Sequence, residues 1–202
     1  IFISKFLYNF VIDRSPIYLF FILLSANLLI WIKAEGIAYA LIVLVSINFI
    51  SKLDLKQRIL INISFLFIIV LKILIYKFFQ IKVNDQPYYI DYITNLDLPT
   101  LFYKIKYILL YLSYYSFKNI LLMCVPIIII FNYKKIIQDE YFKLIFIIFL
   151  MNIIFIFSAY LFRDMEVVYS LKTTIDRIVF SSSGFYLLLI INEFKNFFSR
   201  YI

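Results

Sequence analysis

The sequence contains no histidine, one cysteine and two glycines among its 202 residues. Without histidine, the chain lacks the usual general base near neutral pH and the commonest transition-metal ligand. The lone Cys124 excludes a disulfide within the chain and any CxxC metal site. Gly36 and Gly184 are too few and too far apart for a glycine-rich phosphate-binding loop. We therefore predict no metal site and no cofactor.

Charged residues are also scarce. They make up 16% of the chain, whereas 65% of the residues are hydrophobic and the mean hydropathy is +0.97. A soluble domain carries about a quarter charged and about half apolar residues. A water-soluble core cannot hide this much Ile, Leu and Phe, so the sequence predicts an integral membrane protein with the lipid bilayer as its partner. The net charge of +8 comes largely from lysines spaced beside apolar runs, which indicates membrane topology and no nucleic-acid partner.

The apolar runs predict the fold class. They extend over Pro16 to Ile32, Ile37 to Ile50, Ile59 to Phe79, Ile120 to Tyr133, Leu144 to Phe162 and Ile178 to Ile191. They lack the alternation of a lipid-facing barrel, so we predict an all-α, polytopic transmembrane helix bundle of about six membrane helices. We expect residues 1–202 to form one transmembrane domain. Because the sequence begins with Ile1 and shows no signal peptide, we expect this domain to be the C-terminal part of a longer chain.

The segment Leu101 to Phe117 has two interpretations. Its five tyrosines, with Lys104 and Lys106, are typical of a helix that lies at the membrane interface, which is the interpretation that we favour. The alternative is the first part of one long helix that ends near Tyr133. A crossing by this segment would exchange the sides of all later loops.

With six crossings, the positive-inside rule predicts the topology. One face receives ten basic and five acidic residues, and the opposite face receives eight basic and seven acidic residues. Lys72 and Lys118 lie within or beside apolar runs and belong to neither face. The first face, with both chain ends, is predicted to be cytoplasmic. The turn at 33–36 and the loops 80–100 and 163–177 then share the outer face.

Two polar motifs interrupt the apolar runs. Lys33, Glu35 and Gly36 lie in WIKAEGIAYA, and Asp176 and Arg177 lie in TTIDRIVF. Charges at membrane depth cost several kcal/mol unless they are paired or solvated, and they often mark substrate paths. An ordinary helical hairpin and an ordinary helix start remain open as simpler interpretations. Residues 84–99 combine aspartates and tyrosines, which suit either sugar binding or an interfacial loop.

The segment WIKAEGIAYALIVLVS resembles the Lys-x-Glu-Gly segment of GT-C class membrane glycosyltransferases, related to protein mannosyltransferases and bacterial lipid A aminoarabinose transferases. VVYSLKTTIDRIVFSSSGFYLLLI, residues 167–190, resembles their Thr/Ser-x-Asp-Arg element, which opens a late helix. The resemblance implies transfer of a sugar from a polyprenyl-phosphate donor to an extracytoplasmic acceptor. It implies that Lys33, Glu35, Asp176 and Arg177 bind substrate, with Asp176 orienting Arg177 or capping a helix that opens at Ile178. The family's catalytic acid has no counterpart here, so we expect it upstream of this chain.

Two other functions remain open. One is membrane transport, or handling of lipid-linked saccharides, without bond-making chemistry. The other is a small subunit of an organelle-encoded membrane complex. The heavy use of Ile, Lys, Asn, Phe and Tyr, which is typical of an AT-rich genome, also permits this function. For the glycosyltransferase, the expected location is the bacterial inner (cell) membrane.

Overall fold

A computed structural model of the chain describes residues 2–32, 35–50, 53–80, 97–163 and 166–199. These residues form ten helices: α1 (Phe2–Asp13), α2 (Pro16–Ile32), α3 (Gly36–Asn48), α4 (Leu55–Phe78), α5 (Leu98–Lys118), α6 (Ile120–Phe131), α7 (Lys135–Gln138), α8 (Glu140–Leu161), α9 (Val167–Ser183) and α10 (Leu187–Phe198). No strand occurs among the described residues, so the predicted all-α class is confirmed. Helices suit lipid because each satisfies its own backbone hydrogen bonds.

The described part of the chain contains two to four candidate membrane spans. α4 and α8 are long and apolar enough to cross a membrane, which indicates an integral membrane protein. The bent pairs α5–α6 and α9–α10 each pass the same test only when they are taken together. α2 and α3 have 17 and 13 residues, fewer than the approximately 20 that cross upright. The predicted count of six is therefore not confirmed.

Asn119 separates α5 from α6, which meet at an angle of 95°. Its backbone is extended, so α5 ends there, and its side-chain oxygen accepts a hydrogen bond from the Leu122 backbone N–H at 3.2 Å. One residue thus ends the first helix and caps the second. The alternative of a single long helix from Leu101 to Tyr133 is wrong, and an interfacial position for α5 stays a prediction.

The predicted crossing from Ile178 to Ile191 is not one helix. α9 ends at Ser183, α10 begins at Leu187, and the two helices are bent by 55°. The hydroxyls of Ser181, Ser182 and Ser183 donate to carbonyls three or four residues earlier in α9, at 2.6, 2.9 and 2.7 Å. Such bonds compete with the helix ladder, and Gly184 follows them directly. Three such bonds in succession followed by a glycine favour a break at this point.

The chain groups into two compact units, residues 1–84 with 132–151 and residues 85–131 with 152–202. In the first unit, α1 packs on α2, and α2 and α3 pack on each other and on α4. Its buried side chains include Leu7, Ile22, Ala26, Ile30, Val43, Ile47, Ile61 and Phe65. The expectation of a single domain over 1–202 remains a prediction.

The N-terminal helix was not predicted from the apolar runs. α1 buries Ile3, Leu7 and Phe10, which recur at helical spacing. The α1–α2 turn contains Arg14, in the left-handed region at φ 56°, and the Arg14 side chain forms an ion pair with Glu140 at the start of α8. This contact ties the N-terminal hairpin to the first turn of α8 within the first unit.

α4 exposes most of its apolar side chains. These include Leu60, Ile63, Leu66, Phe67, Val70, Ile73 and Leu74. A water-soluble protein does not leave so long an apolar surface open, so this surface of α4 suits contact with lipid. On its other side, Asn62 pairs with Asn48 of α3 through two amide hydrogen bonds of 3.0 Å. Such bonds join helices where lipid offers no competing partner.

In the second unit, α9 packs on α5 and α6, and α10 packs on α6. The buried side chains include Ile108, Leu112, Leu122, Val125, Ile156, Leu171, Ile175, Val179, Leu189 and Ile190. The C-terminal half of α8 belongs to this unit as well. Polar side chains are buried beside this apolar core.

Candidate functional site

The four predicted site residues differ in what the structure describes. Lys33 lies outside the described residues, as does most of the 84–99 segment. Glu35 precedes α3 in the first unit and is half-buried. Asp176 and Arg177 are exposed on α9 in the second unit. A shared cavity for Lys33 and Arg177 therefore stays a prediction.

Gly36 allows α3 to start directly against α2. A Cβ atom added at this glycine would lie 1.8 Å from the Leu29 carbonyl oxygen, which is backbone and cannot swing away. Glu35 immediately precedes the helix, and its carbonyl accepts the first backbone bond of α3, from Tyr39 N–H at 3.2 Å. Glycine is therefore needed at 36 for this close approach, whatever the role of the charges beside it.

Lys72 of α4 reaches the end of α2. Its side chain is 7% exposed, and its ammonium donates to the Ile30 carbonyl and lies 5.2 Å from the centre of the Tyr76 ring. Ile30 is in the last turn of α2, where the helix dipole is negative, so a cation is favoured there. Lys72 thus holds the C-terminal end of α2, the helix that directly precedes the Lys-x-Glu-Gly motif.

Asp176 and Arg177 lie well inside α9. The helix begins at Val167, and the Glu166 side chain caps it by accepting the Tyr169 backbone N–H at 3.1 Å. The prediction that Asp176 caps a helix opening at Ile178 is therefore wrong. The prediction followed the apolar run, whereas α9 is an amphipathic helix that starts eleven residues earlier than that run.

A row of buried polar contacts joins α8 to the helices that follow it. Asn152 donates to the Tyr186 hydroxyl at 3.0 Å, the hydroxyls of Tyr160 and Thr174 are 2.7 Å apart, and the Arg163 Nη1 donates to Ser170 Oγ at 2.7 Å. We call these six side chains the polar seam. Positions 152, 160 and 163 follow helical spacing, so they share one side of α8 and its extension.

Arg163 is the one charged member of the polar seam, and its side chain is 8% exposed. Within the described part of the chain, its Nε has no hydrogen-bond partner and no carboxylate pairs with its guanidinium. Lys104 of α5, 3% exposed, donates to the Arg163 carbonyl at 2.8 Å and to the Leu161 carbonyl at 3.4 Å. The ammonium of Lys104 thus binds the backbone where α8 ends, at the residue that carries the buried guanidinium.

Ser170, Thr174 and Arg177 follow one another along α9 at i, i+4 and i+7. Ser170 is buried, Thr174 is half-buried and Arg177 is exposed. Ser170 contacts the buried guanidinium of Arg163, Thr174 lies one turn further along α9, and the exposed Arg177 follows one turn after that. Hydroxyl groups and cations in this order can bind phosphate and sugar oxygens.

Sequence reasoning assigned Arg163 and Lys104 only to a loop and an interface. The signal for Arg163 was present, because Asn152 and Tyr160 precede it at helical spacing in an otherwise apolar run. The burial of Lys104 depends on packing between α5 and α9, which one sequence does not reveal.

The described residues contain no group of three or more His, Cys, Asp or Glu side chains that could hold a metal ion. Comparison of the chain with protein-family models, with curated proteins and with solved structures finds no match. The comparisons therefore assign no family, and the resemblance to GT-C enzymes remains a hypothesis that rests on the two short motifs.

Proposed function

We propose that this chain is part of a polytopic membrane glycosyltransferase of the GT-C type, which transfers a sugar from a polyprenyl-phosphate donor to an extracytoplasmic acceptor. The proposal rests on the two motifs and on one observation. Arg177 is exposed at the end of a row of hydroxyl-bearing residues on α9, in a position to meet a ligand. The catalytic acid is expected outside these 202 residues.

The leaving group of such a transfer is a lipid phosphate, which gains negative charge as the glycosidic bond breaks. Cations placed beside it lower the barrier. Arg177 offers two parallel donors to phosphate oxygens, and Lys33 offers a point charge. In this proposal, Glu35 holds Lys33 in place or binds a sugar hydroxyl.

Asp176 receives a different role from Arg177. Neighbouring positions on a helix project about 100° apart, so the two side chains do not face each other. We therefore assign Asp176 to a hydroxyl of the sugar or of the acceptor, instead of assigning it to the orientation of Arg177.

Arg177→Ala in the full-length protein tests the proposal. Loss of one preorganised donor should lower transfer by about 30- to 1000-fold, measured with a radiolabelled polyprenyl-phosphate sugar in membranes. Arg177→Lys should restore only part of the rate, because a lysine lacks the two-pronged geometry. Lys172→Ala is the matched control, since Lys172 is an exposed cation on the same helix. Full activity of Arg177→Ala, or an equal loss in the control, contradicts the assignment.

The polar seam favours one alternative, a transport or lipid-linked-saccharide handling protein without bond-making chemistry. Polar groups within apolar helices often line paths for substrates. Asn152 and Arg163 each keep one buried polar atom, Oδ1 and Nε, that has no partner among the described residues. Binding of a polyprenyl phosphate by the full-length protein, without any sugar transfer in the same preparation, would select this alternative.

A further inference from the structure

We infer that Arg163, held by Ser170 just beyond the end of α8, binds a lipid-borne phosphate. The inference concerns a site outside the four residues assigned above. It depends on the proposed glycosyltransferase only if the phosphate is that of the sugar donor.

The buried guanidinium of Arg163 has no counter-charge among the described residues. Arg163 is 8% exposed. Among the residues that the structure describes, its one hydrogen bond to another side chain goes to a neutral hydroxyl, and its Nε has no partner. Burying a charged group costs several kcal/mol unless an opposite charge or full hydrogen bonding compensates it. An anion that accepts from Nε and a terminal nitrogen would supply both, and phosphate oxygens match that geometry.

The negative end of α8 is already occupied by another cation. The carbonyl end of a helix is negative and attracts cations. At the end of α8, Lys104 already donates to the carbonyls of Leu161 and Arg163. The ammonium of Lys104 therefore already compensates this helix end.

The length of α8 indicates the depth of Arg163 in the membrane. α8 has 22 residues, roughly 33 Å at 1.5 Å per residue, which matches a hydrocarbon core of about 30 Å. Arg163 follows the last residue of this span by two positions. If α8 crosses the bilayer, Arg163 lies at the level of the lipid headgroups. A phosphate attached to a lipid is the anion most abundant at that level.

The test is native mass spectrometry of the full chain in detergent with four probes: undecaprenyl phosphate, phosphatidic acid, diacylglycerol and inorganic phosphate. We expect the two phosphate-bearing lipids to bind and diacylglycerol not to bind. Arg163→Gln should weaken binding of both phosphate-bearing lipids by about 10-fold or more, as for loss of charged hydrogen bonds. Arg163→Lys should restore part of the affinity, and Lys172→Gln, which changes an exposed cation on α9, should leave it unchanged.

Ser170→Ala keeps the charge but removes the hydroxyl that holds it, so a smaller loss, about threefold, is expected. This variant and Arg163→Lys decide the question if Arg163→Gln fails to fold.

Preference for undecaprenyl phosphate over phosphatidic acid identifies the donor as the source of the phosphate, and equal binding identifies bilayer phospholipid as the source. Both results support the site. Binding of inorganic phosphate alone, or unchanged lipid binding in the Arg163 and Ser170 variants, overturns it. Lipid binding without sugar transfer contradicts only the proposed function.

Discussion

Gly36 shows how strongly one residue constrains this chain, because its α-carbon lies against the backbone of α2. A methyl group at position 36 would meet the Leu29 carbonyl oxygen at 1.8 Å, so the two helices would have to separate. We expect Gly36→Ala to destabilise the protein by about 1 to 3 kcal/mol, the usual cost of overpacking. Thermal unfolding in detergent measures this. Ala38→Gly is the control for altered helix propensity near the start of α3, and an unchanged melting temperature for Gly36→Ala would contradict the close approach.

Lys72 supplies the second prediction at this scale. Lys72→Glu would place a buried negative charge beside the carbonyl of Ile30, at the negative end of α2. We expect a loss of about 3 kcal/mol or more, as for other buried charges left without compensation. The measurement is the yield and melting temperature of the purified protein. Lys77→Glu, at an exposed position in the last turn of the same helix, should lower stability by no more than about 1 kcal/mol, the effect of the helix dipole at an exposed end. Equal behaviour of the two variants would refute the role of Lys72.

Individual polar residues divide into those that the sequence can identify and those that it cannot. Glu35, Asp176 and Arg177 were singled out because they interrupt apolar runs or match a short motif. The buried contacts of Lys72 and Lys104 depend on which helix packs beside them. That information is long-range, and no local pattern in one sequence contains it.

At the scale of the helices, the polar seam joins α8 to the helices that follow it. Tyr160 is buried, and its hydroxyl lies 2.7 Å from that of Thr174 on α9. Hydrogen bonds between membrane helices contribute about 0.6 kcal/mol on average and up to about 1.7 kcal/mol. We expect Tyr160→Phe to lower stability by about 0.5 to 1.5 kcal/mol, measured by unfolding in mixed micelles. Tyr169→Phe, at an exposed position of α9, should have no effect. If Tyr160→Phe leaves the stability unchanged, the polar seam does not stabilise this packing.

Most helices follow from the apolar runs, whereas α1 and the limits of several helices do not. α1 and the first half of α9 are amphipathic, so a search for continuous apolar runs passes over them. Their buried positions, such as Ile3, Leu7 and Phe10, nevertheless recur with the helical period. The breaks at Asn119 and after Ser183 depend on hydrogen bonds that side chains make with the backbone, which composition does not specify.

At the scale of the whole molecule, the sequence predicts a lipid environment, but it does not predict the number of membrane crossings. Composition alone indicated lipid, and the exposed apolar surface of α4 agrees with it. The count of six treated every apolar run as a crossing. α2 and α3 are roughly 26 Å and 20 Å long at 1.5 Å per residue, less than a hydrocarbon core of about 30 Å. Such helices cross only if they borrow flanking residues or thin the bilayer, or they form a re-entrant hairpin.

Accessibility from the two sides of the membrane distinguishes these arrangements. From the excess of basic residues on one face, ten against eight, we expect positions 35 and 177 outside and position 134 inside. Single cysteines at these three positions, in a Cys124→Ala background, would be treated with a membrane-impermeant maleimide on intact cells and on inverted vesicles. Arg177 is exposed on the polar side of an amphipathic helix, so its position should react readily if α9 begins along the outer interface. Failure of position 35 to react from either side would make α2 and α3 a re-entrant hairpin. Reaction of 35 from the outside and of 177 from the inside would refute the topology, because the two motifs could not then face one substrate.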